Sequence, residues 1–295
     1  MNNITLYLMS KKGYEVLNSI IENNLHNFIH MVVFANDKNV IKDYAAEIEL
    51  LCSTKKIKCY NRRKCPNNYA DFAILISWRW LIPVGQSQKI IVLHDSLLPK
   101  YRGFAPLVNA LINKEKKIGV TALFASKEYD KGDVIMQEYI NINYPIKIEH
   151  AIEMITKCYK NIVLDLLNKV KLNINIRGTI QSEYDATYSL WRDEKDYEID
   201  WNTTSSYLER FINATGYPYK GASSNLDGRK IRIFDVEAKE DVNIENRTPG
   251  KVIFMVEEKP VVVCGKGLLK IENAIYDDSG ESIFPVNKFR LRLGK

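Results

Sequence analysis

Two short polar loops hold the residue types best suited to chemistry. The first, residues 93–106, reads LHDSLLPKYRGFAP and opens where an apolar run ends. Histidine ionises near neutral pH, so His94 at a strand terminus is a candidate acid, base or oxyanion partner. His94, Pro99, Gly103 and Pro106 punctuate the stretch closely enough to give a rigid, shaped loop. The second loop, residues 128–133, reads EYDKGD and offers Asp130 as a carboxylate partner. Each residue has a plain alternative: His94 as a hydrogen-bonded structural histidine, and Asp130-x-Gly132 as an ordinary turn.

The elements that must position these loops follow from hydrophobic periodicity. Residues 4–9, 30–35, 72–77 and 90–93 are short apolar runs, as expected of strands covered on both faces. Residues 120–126 read as a further strand. Residues 14–21, 42–51, 107–113 and 149–172 read as helices, the last with Ile152, Ile155, Ile162, Leu166 and Val170 at helical spacing. Strand and helix in alternation predict a parallel α/β sheet with ligands beyond the carboxyl ends of its strands, the edge at which the His94 loop begins. After about residue 171 the pattern changes. An irregular linker leads to a helix over 203–214, capped by Asn202 or Thr203. Short strands at 230–236, 251–255, 261–264 and 268–274 are split by Asp227-Gly228, Pro249-Gly250 and Gly265-Lys266-Gly267, which predicts a small β-barrel. The expected division is 1–178, a linker over 179–199, and 200–295.

At 295 residues, with 46% hydrophobic and 26% charged side chains, the chain has material for two cores without staples. Five cysteines lie without a CxxC pair or a zinc spacing, so reduced thiols and no metal are expected. No apolar run reaches membrane-spanning length and the first residues do not read as a signal peptide, so the expectation is a cytoplasmic protein. Charge is unevenly divided. Residues 1–179 hold 25 Lys and Arg against 16 Asp and Glu, and residues 180–295 hold 17 against 20. The C-terminal part therefore lacks the basic excess of a polyphosphate-gripping domain.

The two loops together resemble the folate-dependent formyltransferases. His94-x-Ser96-Leu97-Leu98-Pro99-x-x-x-Gly103 is similar to that family's signature loop, and Asp130-x-Gly132-Asp133 to its second catalytic loop, at the family's spacing. Ile199-Asp200-Trp201 and Tyr217-Pro218-Tyr219-Lys220-Gly221-Ala222 look like landmarks of its C-terminal domain. The resemblance implies a Rossmann-like domain followed by an OB-like barrel, and transfer of a formyl group from N10-formyltetrahydrofolate to an amine. His94 would donate to the formyl oxygen or stabilise the oxyanion as an imidazolium, and Asp130 would support that charge and take the amine proton. One position departs from the pattern: Val92 stands where the family has an Asn that holds the formyl oxygen. Losing one such donor costs roughly 2.7–4 kcal/mol. Either the Ser77 hydroxyl, the Asn109 amide, a backbone N–H or a water replaces it, or the enzyme is slow, or the protein binds ligands without turnover.

The resemblance further implies that the pterin ring slides between the loop at residues 77–83 and residues 127–130. Ser77, Trp78, Arg79, Trp80 and Leu81, with Glu128, Tyr129 and Asp130, are thus the expected folate contacts. Among acceptors, a glycinamide ribonucleotide is disfavoured by the C-terminal extension, and transfer RNA by that region's negative balance. A nucleotide-linked amino sugar (UDP- or dTDP-linked, for surface glycan synthesis) fits best, with methionyl-tRNA as the alternative. Lys100, Tyr101, Arg102 and Gly103, Trp191 with Arg192, and Tyr217 with Tyr219 and Lys220 are the expected acceptor contacts. No specific nucleic acid and no membrane are expected as partners, and a homodimer stays open.

Overall fold

The computed structural model describes residues 4–38, 40–66, 70–82, 88–286 and 288–294. The chain forms two compact units, Met1–Leu107 with Lys116–Ile142 and Ala151–Leu190, and Val108–Glu115 with Asn143–His150 and Trp191–Lys295. Among the described residues no helix is long and apolar enough to cross a membrane.

In the first unit the chain runs β1 (Ile4–Leu8), α1 (Ser10–Glu22), β2 (Ile29–Phe34), α2 (Ala45–Thr54), β3 (Cys59–Asn61), β4 (Phe72–Ile76) and β5 (Lys89–His94). It continues through β6 (Arg102–Gly103), α3 (Pro106–Ile112), β7 (Lys117–Phe124), β8 (Val134–Asn141), α4 (Ile148–Lys171) and β9 (Tyr188–Ser189), with α3 and α4 each shared with the second unit. Seven strands form one sheet in the order β3-β2-β1-β4-β5-β7-β8. The five from β3 to β5 are parallel, in the order that places ligands at the carboxyl edge. β7 and β8 run antiparallel to their neighbours, so the sheet is mixed, with the expected parallel arrangement in its first five strands. β7 and β8 are joined without a helix, as an antiparallel pair allows, whereas β7 lies antiparallel to β5 although α3 intervenes.

The apolar runs form strands because both faces are covered. Tyr7, Met31, Val33, Ala73, Leu75 and Ile90 cluster on one face. The alternate residues Leu6, Leu8, Val32, Ile74, Ile76 and Ile91 are fully buried, each contributing roughly 1.5–3 kcal/mol. Gly13 lets α1 lie close on β1, since a Cβ there would sit 3.1 Å from Leu8 Cβ.

The second unit contains α5 (Ser205–Thr215) and strands β10 (Ala222–Leu226), β11 (Arg229–Lys239), β12 (Val252–Val256), β13 (Lys259–Val263) and β14 (Leu268–Tyr276). Thr204 caps α5 by accepting from the Tyr207 N–H, one or two residues beyond the predicted caps. The strands make an antiparallel sheet in the order β10-β11-β14-β13-β12. Its two edges are joined through one C-terminal segment: Leu293 bridges Leu226 of β10, and Arg292 bridges Lys251 next to β12. The C-terminal segment thus touches the antiparallel sheet by single bridges near both edges.

The stretch read as a linker is divided between the units. Up to Leu190 it packs on the first unit as a strap, with Thr179 bridged to Val134 and β9 paired in parallel with β6.

Candidate active site

His94 is the last residue of β5, so the sheet delivers it to the carboxyl edge, and it is buried there. The loop that follows is held from within and from outside. Ser96 Oγ donates to the Lys100 carbonyl at 2.7 Å, and the Leu98 N–H donates to Thr121 Oγ1 at 3.1 Å. The strap holds the loop's far side. Tyr101 N–H donates to Thr187 Oγ1 at 2.9 Å, Arg102 N–H to the Thr187 carbonyl at 2.9 Å, and Phe104 N–H to the Ser189 carbonyl at 3.0 Å. Gly103 has φ +101°, and a Cβ there would lie 2.5 Å from the Ser189 oxygen, so only glycine fits.

The geometry brings His94 and Asp130 together. His94 Nε2 lies 2.8 Å from the Tyr101 carbonyl oxygen. A carbonyl only accepts, so Nε2 carries a proton and spends it on the loop. Nδ1 faces Asp130 Oδ1 at 3.5 Å, and Asp130 Oδ2 accepts the Gly103 N–H at 2.8 Å. A doubly protonated ring therefore has an acceptor on each nitrogen. The Nδ1 contact is longer than the ~2.7–2.9 Å of a closed charge-assisted bond. Of the two roles anticipated for His94, donation from Nε2 is already engaged, which leaves the imidazolium charge and the Nδ1 edge for chemistry. Asp130 holds φ +54°, a left-handed conformation that Asp tolerates better than most residues.

Arg102, expected to touch an acceptor, does something else. Its side chain is fully buried. The guanidinium donates to Gln181 Oε1 at 2.9 and 3.1 Å, to Glu183 at 2.9 and 3.0 Å, and to the Tyr188 hydroxyl at 3.3 Å. These five contacts engage all three guanidinium nitrogens inside the protein, so Arg102 serves as an internal tie. The Arg102 hydrogen bond, against an opposing burial effect, holds the Glu183 carboxyl below the usual range. Of the other signature-loop candidates, Tyr101 and Gly103 serve through their backbone, and Lys100 is exposed.

The loop after β4 begins at Ser77, with φ +54°. Trp78 packs edge-on against Tyr7 with ring centroids 5.1 Å apart, partly in the core cluster. Trp80 stands edge-on to Trp78 at 5.2 Å, and the Arg62 guanidinium lies 4.1 Å over its ring. Arg79 makes a two-pronged pair with Asp37 at 2.7 and 3.1 Å, and Leu81 is 91% exposed. Pro83, at the end of the expected pterin loop, lies outside the described residues. On the opposite loop Glu128 pairs with Lys131 at 2.6 Å, and exposed Tyr129 lies beside Phe104 with ring centroids 6.2 Å apart.

Sequence reasoning missed the group behind the histidine. Asp95 pairs with Lys12 at the start of α1 and accepts from the Tyr159 hydroxyl on α4. Burial alone would raise the Asp95 carboxyl, but the Lys12 charge and the two hydrogen bonds outweigh it and hold it below its ordinary value. Burial likewise drives the Tyr159 phenol well up, followed by the nearby Asp95 charge. The signal available in sequence was a charged residue directly after a buried strand. Val92 is half-buried on β5 and packs against the apolar cluster that also receives Trp78.

The remaining candidates belong to the second unit. Trp191 is 62% exposed, while Tyr217 is exposed and Tyr219 half-buried in the turn before β10. Arg192 donates to Asn109 Oδ1 at 2.7 Å, which uses one acceptor of the amide considered as a replacement for the missing Asn.

Comparison with known proteins agrees with this architecture. The formyl transferase model matches residues 21–164, and the formyl transferase C-terminal domain model matches residues 192–280. The chain is 31% identical over 215 residues to the methionyl-tRNA formyltransferase of Clostridium novyi, covering 71% of this chain and 68% of that one. It is 29% identical over 255 residues to that of Thermodesulfovibrio yellowstonii, covering 84% and 80%. The chain belongs to the formyl transferase family. The family's one-carbon donor is N10-formyltetrahydrofolate.

Among solved structures, the N-formyltransferase of Helicobacter canadensis, in complex with folinic acid and dTDP-3-aminofucose, superposes with a TM-score of 0.69 at 15% identity. It covers 92% of this chain and 99% of that one. HypX of Aquifex aeolicus superposes at 0.65 and 20% identity over 94% of this chain, which spans only 44% of HypX. At these identities the likeness is one of fold.

Proposed function

We propose that the protein transfers a formyl group from N10-formyltetrahydrofolate to the amino group of a nucleotide-linked amino sugar. The His94–Asp130 pair, poised at 3.5 Å on the carboxyl edge of the sheet, is the observation that carries the transfer itself. N10-formyltetrahydrofolate supplies the activated formyl carbon that an amine attacks. Asp130 Oδ1 takes the amine proton, and the Gly103 N–H on Oδ2 fixes the carboxylate that receives it. His94, as an imidazolium anchored on the Tyr101 carbonyl, offsets the negative charge that develops on the formyl oxygen. Asp130 then returns the proton to the departing folate nitrogen. For the folate ring, the loop after β4 offers the buried Trp78 Nε1, which has no hydrogen-bond partner among the described residues. A polar ring edge would satisfy it. Ser77, Arg79, Trp80 and Leu81, with Glu128 and Tyr129, would line the same opening.

Charge bears on the acceptor. The second unit holds 19 Lys and Arg against 20 Asp and Glu. Nine of the cations (Lys147, Arg229, Lys230, Arg232, Lys239, Arg247, Lys259, Lys270 and Lys288) are paired with carboxylates of that unit. A surface so neutralised is poorly suited to transfer RNA, whose binding rests on releasing counterions from phosphate. A sugar nucleotide asks for one flat platform and a few donors; Lys100 is a candidate of the first unit, and Trp191, Tyr217 and Tyr219 are separate candidates of the second. Methionyl-tRNA remains the second reading, because the relatives near 30% identity carry that name.

The test is tetrahydrofolate release from N10-formyltetrahydrofolate with a panel of dTDP- and UDP-linked amino sugars, and separately with methionyl-tRNA. Release with one sugar nucleotide, little affected by salt, is expected. Efficient formylation of methionyl-tRNA at physiological salt would overturn the sugar reading.

A further inference from the structure

Gln181 lies in the strap between α4 and β9, is 8% exposed, and uses every hydrogen-bonding position of its amide. Oε1 accepts from Arg102 Nε at 3.1 Å and Nη2 at 2.9 Å. Nε2 donates to the Asp130 carbonyl at 2.7 Å and to the Gly132 carbonyl at 2.8 Å. The amide has only one orientation, because a guanidinium only donates and a carbonyl only accepts.

Each partner belongs to one of the two catalytic loops. Arg102 sits between Tyr101, whose carbonyl anchors His94, and Gly103, whose N–H binds the Asp130 carboxylate. Asp130 is thus gripped twice, by Gly103 on its side chain and by Gln181 on its main chain. Two attachment points fix where the carboxylate is and also how it is turned toward Nδ1. On the far side of Arg102, Glu183 and Tyr188 complete the guanidinium's partners, so the joint is closed from both ends.

We propose that Gln181 is a positioning residue that sets the gap between His94 and Asp130. It touches no reacting atom and acts through the main chain of Asp130. The proposal concerns the family chemistry and does not depend on which amine is the acceptor.

Gln181→Glu, in the full chain, separates the two ends of the joint. A glutamate still accepts from Arg102 but turns an oxygen toward two carbonyls, so the Asp130 loop is released while the Arg102 side stays. Turnover, read as tetrahydrofolate formed with the acceptor found in the panel, is expected to fall by about 10- to 100-fold, with KM for N10-formyltetrahydrofolate within about threefold of the parent. Hydrogen exchange at residues 127–133 is expected to quicken by about tenfold or more, while residues 99–104 keep the parental rate. Gln181→Met removes both ends, and both segments should then exchange faster. Parental turnover and parental exchange in Gln181→Glu would overturn the proposal. So would equal loosening of both loops in that variant, because that marks a general fold contribution. The exchange measurement needs no acceptor, so it stands if the sugar-nucleotide reading fails.

Discussion

Asp130→Asn replaces one acceptor oxygen with a donor and leaves the other in place. The Gly103 N–H, now 2.8 Å from Oδ2, would keep an oxygen as partner, which turns the new NH2 toward His94 Nδ1. Because Nε2–H is committed to the Tyr101 carbonyl, that NH2 meets the ring nitrogen's lone pair and favours a neutral imidazole. One substitution thus removes the base for the amine proton and the positive charge beside the formyl oxygen. Positioned acid–base groups contribute about 10²–10⁴-fold. At about 1.36 kcal/mol per tenfold, that is roughly 2.7–5.5 kcal/mol of transition-state stabilisation. Since the Gly103 bond survives, unfolding in urea is expected to change by no more than about 1 kcal/mol, the net size of a single hydrogen bond. The assay is kcat and KM for N10-formyltetrahydrofolate alongside a urea titration. Turnover within tenfold of the parent, in a folded variant, would refute the dyad as the seat of proton transfer.

Val92→Asn places an amide against the cluster of Tyr7, Leu75 and Ile90 and is expected to lower stability by about 1–3 kcal/mol without raising turnover; a clear rate gain at unchanged folate affinity would show that the missing donor was never replaced. Asp95 is held below its ordinary pKa, so its stabilising effect is complete above the unfolded value of about 3.9 and lost as pH falls through the folded one. Thermal unfolding of Asp95→Asn should therefore fall less steeply than the parent's below about pH 4, and parallel curves would dismiss the pair. Lys12→Met leaves the carboxylate without its cation and should cost about 3–5 kcal/mol at neutral pH.

The central strands were legible because burial on both faces writes itself as an unbroken apolar run, as in Phe72–Ile76. β3, with the sequence Cys-Tyr-Asn, and β10, with Ala-Ser-Ser-Asn-Leu, carry no such pattern and exist through pairing with β2 and β11. The reversal at β7 was invisible because the segment between β5 and β7 carries a helix, α3, as a parallel connection would. At the site, resemblance named His94 and Asp130, but nothing in the sequence said which imidazole nitrogen would face the carboxylate. Nothing in the signature loop's sequence distinguishes a buried Arg102 from the acceptor contact expected there. Its partners Gln181 and Glu183 stand 79 and 81 residues away in a stretch that reads as featureless. Lys12 and Tyr159, separated from Asp95 by 83 and 64 residues, were hidden for the same reason.

The most direct measurement follows an isotope-labelled formyl carbon from N10-formyltetrahydrofolate in a single turnover, with a dTDP- or UDP-linked amino sugar present and with parent and His94→Asn protein side by side. Label on the sugar's amino group with the parent, and its near absence with His94→Asn, is the expected result. Label on methionyl-tRNA instead, or equal labelling of the sugar by both proteins, would contradict it.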